Sequence, residues 1–149
     1  MLDHYVVGFM FSKDRERVVL IEKKRSHWQA GLFNGPGGHI ERGEALFRAM
    51  TREFNEEAGM YVPEAKWQEV AIVNCPSTRV HFFRSFCDLG GVRCYGESLT
   101  DEPIRVFRMD RLPPMEEIVW PSGWLLRACL DDDLIFPLKI SYATDGRCR

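Results

Sequence analysis

The stretch "EALFRAMTREFNEEAG", Glu44 to Gly59, decides how this chain is read. Its apolar residues Leu46, Phe47, Ala49, Met50, Phe54 and Ala58 recur at three- and four-residue steps, the periodicity of an amphipathic helix. Gly59 ends it, as a residue that takes positive φ without cost commonly does. At roughly 100° per residue, Glu53 and Glu57 fall inside the arc of Ala49, Met50 and Phe54, and Glu56 lies at its edge. Arg48, Thr51, Arg52 and Asn55 take the opposite side. The carboxylates therefore sit beside the core-facing stripe, in a chain whose formal net charge is only −2.

A carboxylate removed from water needs a partner, and like charges this close raise one another's pKa. Two partners suit the pattern. Arg48, Arg52 or another base would make a surface ion-pair cluster. A divalent cation would suit it as well, because hard cations take oxygen ligands and carboxylates at i, i+3 and i+4 present them together. Upstream, "NGPGGHIERGE" (Asn34 to Glu44) is a glycine-rich loop that lets backbone approach a ligand or a neighbouring strand. Gly38, five residues, Glu44, seven residues, then Arg52, Glu53, Phe54, Glu56, Glu57, Gly59 and Met60 resemble the Nudix box of the Nudix (MutT-like) pyrophosphohydrolases at every defined position. The motif is long, gapped and fixed in residue type at many places, so chance agreement is very small.

The remainder of the chain is consistent with one globular domain over 1–149, with 45% hydrophobic residues and mixed charge. No run of 18 or more apolar residues is present, and "YVVGFMF" is followed by mixed charges rather than a cleavage site. The expectation is a soluble, cytoplasmic protein with no membrane partner. Five cysteines, Cys75, Cys87, Cys94, Cys129 and Cys148, are odd in number and form no CxxC pair, so they are expected to be reduced packing residues. "HYVVGFMFS" and "RVVLIEKK" flank the polar "KDRE" and predict a hairpin. "EVAIVNC", "RVHFFRSFCDL" and "IRVFRMDRL" predict further strands, "PSGWLLRACLDD" a second helix opened by Pro121 and Ser122, and "LKISYAT" a short last strand. This order indicates an α+β layered fold. It is also the order of the Nudix fold, in which a mixed β-sheet is sandwiched between α-helices.

The resemblance implies a hydrolase acting at phosphorus in a nucleoside diphosphate linked to another group, with Mg2+ as cofactor and Mn2+ as a substitute. Glu53, Glu56 and Glu57 match the family's metal-binding glutamates, one of which handles the water; Glu53 is assigned that second role. The carbonyl of Gly38 is a further ligand by resemblance. Arg52 orients the glutamates, and Glu44 supports the loop and the helix start. A later acidic ligand is expected at Glu97 in "YGESLTDEP", with Glu102 second and a solvated loop acid as the bland alternative for either. Lys23, Lys24 and Arg25 end the second strand and are candidates to grip phosphates; the bland alternative is a charged strand end that keeps an edge soluble. His39 stands where the family often carries lysine, and a histidine need not be charged at pH 7.

For the base, "GLFNGPGGHIE" resembles the loop of the oxidised-purine (8-oxo-dGTP) nucleoside triphosphatases, in which an asparagine ahead of the glycines hydrogen-bonds the purine. Asn34 holds that place, and an amide offers donors and an acceptor. "IVWPSGWLL" resembles that branch's Trp-Pro segment, so Trp120 is a candidate to stack on the base, with a core role for Trp120 or Trp124 as the alternative. The branch's aspartates after Trp-Pro are absent, and Ser122 and Gly123 stand there, which implies looser discrimination. The expected activity is cleavage of nucleoside triphosphates to monophosphate and pyrophosphate, with purine preference and oxidised or modified dNTPs among the candidates. The alternatives are hydrolysis of ADP-ribose, NADH or dinucleoside polyphosphates, and a non-catalytic nucleotide-binding domain, which the intact box glutamates disfavour. The slightly acidic chain has no long basic stripe, so no nucleic-acid partner is expected. Monomer and homodimer both remain open.

Overall fold

The computed structural model describes residues 2–24, 28–89 and 100–147. In chain order its elements are β1 (Asp3–Ser12), β2 (Arg17–Glu22), β3 (Phe33–Asn34), β4 (Gly37–His39), α1 (Leu46–Ala58), β5 (Gln68–Asn74), β6 (Thr78–Cys87), β7 (Ile104–Arg108), α2 (Ser122–Ala128) and β8 (Leu138–Ser141). The expected hairpin forms between β1 and β2. Among the described residues the eight strands make one mixed sheet in the order β3-β2-β1-β6-β5-β8, with β4 on β1 and β7 on β2. β1 and β6 run parallel over the whole of β1, from Asp3 opposite Thr78 to Ser12 opposite Cys87.

Alternation along β1 builds two cores. Val7, Phe9 and Phe11 point to one face, where they join Leu20, Phe82 and the α2 residues Leu125 and Leu126. Val6 and Met10 point to the other, against Met50, Phe54 and Ala58 of α1. The fold is therefore a mixed α+β sheet with a helix on each face. Burial of each large apolar side chain such as Phe54 stabilises it by about 1.5–3 kcal/mol.

The other edge of β1 forks. β4 takes Tyr5, Val6 and Val7, and β2 takes Met10 and Phe11. Between them the Gly8 N–H donates to the Pro36 carbonyl at 2.8 Å. The glycine loop lies so close to β1 that a Cβ on Gly37 would run into the Val6 carbonyl oxygen. The fork thus delivers the loop to the start of α1.

α1 begins at Leu46, two residues later than the periodicity predicts, which leaves Glu44 in the preceding turn. Gly59 closes it with φ 67°, its N–H donating to Asn55 O at 2.9 Å. Thr51 departs from its expected solvated side: it is buried, and its hydroxyl donates to Val62 O at 2.8 Å, because the chain after Gly59 folds back over that flank. α2 is shorter than the stretch that predicts it, ending at Ala128. The cysteines also depart from expectation. Cys75 is disulfide-bonded, whereas Cys129 is a buried free thiol. Among the described residues no helix is long and apolar enough to cross a membrane.

Candidate active site

Side chains on a helix lean toward its N-terminus, so Arg52 reaches back over the first turn of α1 to the glutamate that precedes it. Its Nε donates to Glu44 Oε2 at 2.7 Å and its Nη2 to Glu44 Oε1 at 2.8 Å, a two-point grip. Nη1 donates to Glu53 Oε1 at 2.9 Å and lies 3.4 Å from both oxygens of Glu56. Nη2 also donates to the His39 carbonyl at 3.2 Å, tying the helix to β4. These bonds hold the Glu44 carboxyl below its usual range and raise the Arg52 guanidinium further still. The arginine partner foreseen for the acid cluster is thus Arg52.

Glu53 and Glu57 lie deeper. Burial pushes the Glu53 carboxyl up, with Arg52 opposing. Glu57 Oε2 accepts the Gly37 N–H at 2.8 Å. Burial is also the main cause that lifts Glu57 to about 7; Lys23 opposes it, and Glu53 and Glu102 reinforce it. Gly38 leaves room that Glu53 fills: a Cβ there would stand 2.5 Å from the Glu53 carboxylate carbon.

Glu102 is 2% exposed and accepts from Lys23 Nζ at 3.0 Å and from the Lys24 N–H at 2.7 Å. It is thereby anchored at the end of β2, near enough to Glu57 to add to its negative surroundings. Lys23, expected as a phosphate grip, is shared with this carboxylate. Lys24 contributes its backbone and is exposed. The His39 side chain is exposed as well, 3.6 Å from Asp3 and edge-on to Tyr5, outside the cavity described below. Arg25 and Glu97 lie outside the described residues.

No group of three described His, Cys, Asp or Glu side chains is gathered as a metal cage. The donor set nevertheless suits a hard cation. It consists of carboxylate oxygens, without sulfur or imidazole. Among the described residues, the cations facing Glu44, Glu53, Glu56, Glu57 and Glu102 include Arg52, Lys23 and, at Glu44, Arg48, so the acids of the cluster outnumber these bases.

Beside the cluster lies a cavity of about 500 Å³ whose lining runs across the sheet, from Lys23 past Gly37, Gly38 and Asn34 to Trp120 and Tyr142. Its size suits a small-molecule ligand. The main chain brings the distant parts together: the Val119 N–H donates to Phe33 O at 2.8 Å, which seats the start of α2 against β3. Trp120 packs against Tyr142 and Trp124, with ring centroids 6.2 Å and 6.5 Å away. Asn34 is buried; its Oδ1 accepts the Gly35 N–H at 2.8 Å and the Ser122 hydroxyl at 2.6 Å. Trp28, Tyr142 and Asp145 also line the cavity and escaped the sequence reading. Trp28 stood in the cationic "EKKRSHW" stretch, where an exposed aromatic was a usable signal; Tyr142 and Asp145, beyond β8, gave none.

A family model for the NUDIX domain matches residues 2–117. Solved structures share the fold. A NUDIX hydrolase from Nitrosomonas europaea aligns with TM-score 0.70 and 21% identity over 95% of this chain and 80% of that one. In a study of MutT from Aliivibrio salmonicida and Vibrio cholerae, the MutT structure aligns with TM-score 0.66 and 21% identity over 87% of this chain and 100% of that one. The NUDIX domain of Shewanella oneidensis NrtR, solved with ADP ribose, aligns with TM-score 0.69 and 14% identity over 87% and 86%. The arginine-tied glutamates after a glycine loop and the matched family model lead to one conclusion: the chain belongs to the NUDIX domain family.

Proposed function

We propose that the protein cleaves nucleoside triphosphates to monophosphate and pyrophosphate, with a preference for purines and with oxidised or modified purine dNTPs among its substrates. The observation that carries this reading is the single cavity lined by Lys23, Gly37 and Gly38 on the acid side and by Asn34 and Trp120 on the aromatic side. A diphosphate laid beside the glycine loop leaves its base within reach of an amide and an indole. Glu53, Glu56, Glu57 and the Gly38 carbonyl are the groups that would hold Mg2+ or Mn2+, with Glu97 as a later ligand. The ion supplies charge neutralisation for the diphosphate and a water of lowered pKa. Arg52 and Glu44 keep the glutamates in register through the bonds described above. Glu53, buried and raised in pKa, is suited to accept a proton from the attacking water. β8 pairs with β5 and so joins the region after residue 117 to the same sheet, which supports one domain over the whole chain.

The test of the reaction is hydrolysis in oxygen-18 water. Label is expected in the monophosphate or the pyrophosphate, and label only in free orthophosphate contradicts the reading. A second reading, hydrolysis of ADP-ribose or other diphosphate-linked nucleotides, draws support from the NrtR fold solved with ADP ribose. A panel of normal and oxidised triphosphates beside ADP-ribose, NADH and diadenosine polyphosphates separates the two by specificity constant. A tenfold or greater advantage of the diphosphate-linked compounds decides for the second reading.

A further inference from the structure

Asn34 and Ser122 are 88 residues apart in sequence, yet their side chains meet inside the protein at 2.6 Å. The identities of the atoms fix the direction of the bond. The Gly35 N–H can only donate, so the atom it meets at 2.8 Å is the amide oxygen of Asn34 rather than its nitrogen. Ser122 Oγ faces that same oxygen, and its hydroxyl must therefore be the donor. An amide oxygen has two lone pairs. Both are now occupied, one by the backbone and one by Ser122. Among the described residues no acceptor takes the two hydrogens on Asn34 Nδ2, and Asn34 lines the cavity.

From this we infer that Ser122 is a specificity-determining positioning residue: by occupying Oδ1 it restricts Asn34 to donating, so that the cavity favours bases with acceptors on the facing edge, 6-oxopurines over 6-aminopurines. The inference rests on the reading of the cavity as a base site. An asparagine with both groups available pairs with adenine, accepting from N6 and donating to N7. That mode is closed here. Guanine and hypoxanthine present O6 and N7, two acceptors that an NH2 group can meet, whereas adenine sets its own N6 hydrogens against those of Asn34. Oxidation at C8 turns N7 into an N–H, which finds no acceptor on Asn34, while O6 is retained. The residue therefore sorts purines by their 6-substituent and gives oxidised bases no advantage of its own. Ser122 is fully buried, so it acts on a ligand only through Asn34.

Two ligand pairs that differ only in the 6-substituent and the N1 proton that goes with it, and keep the same N7, test the inference on the unaltered protein: dITP against dATP, and dGTP against the 2,6-diaminopurine deoxynucleoside triphosphate. The expected specificity constants favour the 6-oxo member by about tenfold or more, chiefly through KM. Quenching of tryptophan fluorescence by dIMP and dAMP without metal should show the same preference, independent of turnover. Equal values for the two members overturn the inference without any variant. In Ser122→Ala the amide loses the donor that holds its oxygen inward and is free to turn Oδ1 toward N6, so the 6-oxo to 6-amino ratio should fall about tenfold, the change falling on KM. In Asn34→Ala the ratio should collapse, and adding Ser122→Ala to it should change nothing further. A ratio that collapses in Asn34→Ala but holds in Ser122→Ala refutes the role of the serine and leaves the base site standing. A ratio indifferent to Asn34→Ala refutes the base site itself. Should Ser122→Ala fail to fold, the ligand pairs on the unaltered protein still decide.

Discussion

The acid cluster around Arg52 lies beside the cavity that Asn34 lines, and the cluster and the polar contact at Asn34 are assembled in opposite ways. The first draws chiefly on α1 and the loop that enters it, within residues 37–57, with Lys23 and Glu102 added from the ends of β2 and β7. The second needs β3 and α2, held together by a main-chain bond from Val119 to Phe33, with Tyr142 beyond β8 packed on Trp120. One is an arrangement of charge that a helix makes almost by itself. The other exists only where the sheet and its far side are complete. The difference should divide their roles, with the acid cluster governing the maximal rate and the amide and indole governing affinity.

The sharpest break of that division would come from the buried and half-exposed acids. Glu56→Gln and Glu57→Gln should each fold, by circular dichroism, and lose about a hundredfold or more in kcat, since even outer partners of metal ligands are worth about 10–100-fold. Wild-type-like phosphate release by both at millimolar magnesium would remove the metal assignment. Arg52→Ala comes next. It leaves Glu44 and Glu53, both largely buried, without their cation, and should cost about 3 kcal/mol of stability in urea denaturation, besides lowering kcat. A variant as stable as wild type would mean that the glutamates find other partners.

On the other side of the comparison, Trp120→Ala should raise KM by about tenfold, the lower-to-middle range for an aromatic stacked on a base, and leave kcat near wild type. A fall in kcat at constant KM would instead mark Trp120 as a support of the catalytic geometry. The smallest effect concerns pH. Burial lifts Glu57 from its ordinary 4.5 to about 7, so the folded protein holds this proton more tightly than the unfolded chain does. The contribution of this group to stability is full below pH 4.5 and is lost as the pH rises through about 7. In chelator, Glu57→Gln should therefore match wild type near pH 5 and melt a few degrees higher near pH 8. Magnesium should narrow that gap by stabilising wild type alone. A gap that is absent at pH 8, or that grows toward low pH, would show that Glu57 is not held as described.

Much of the acid end was legible in the chain itself. The three- and four-residue spacing of Met50, Phe54 and Ala58 specifies the helix, Gly59 its end, and the acid spacing puts Glu53 and Glu57 beside the apolar stripe, because a helix maps sequence separation onto angle wherever it occurs. Six of the eight described strands were readable for the same local reason, through β-branched runs such as "RVVLIE" broken by turn residues, whereas β3 and β4, short and at or within the glycine-rich stretch, exist only because β2 and β1 pair with them. Burial and partnership were not legible in this way. Thr51 looks solvated on the wheel and is buried only because the chain returns over it to Val62. Spacing and the family resemblance marked Glu57 as a candidate ligand, but desolvation and the neighbours Lys23 and Glu102, brought from the ends of β2 and β7, set its affinity for a proton. In sequence Ser122 was a missing aspartate; in the fold it is the donor that fills the Asn34 oxygen. Local periodicity determined the helix, the longer strands and the spacing of the acids. Which carboxylates lose water, which amide atom faces the cavity and which residues share it were decided by tertiary contacts between segments far apart in the chain, since desolvation and hydrogen bonding depend on what packs against a side chain rather than on where it stands in the sequence.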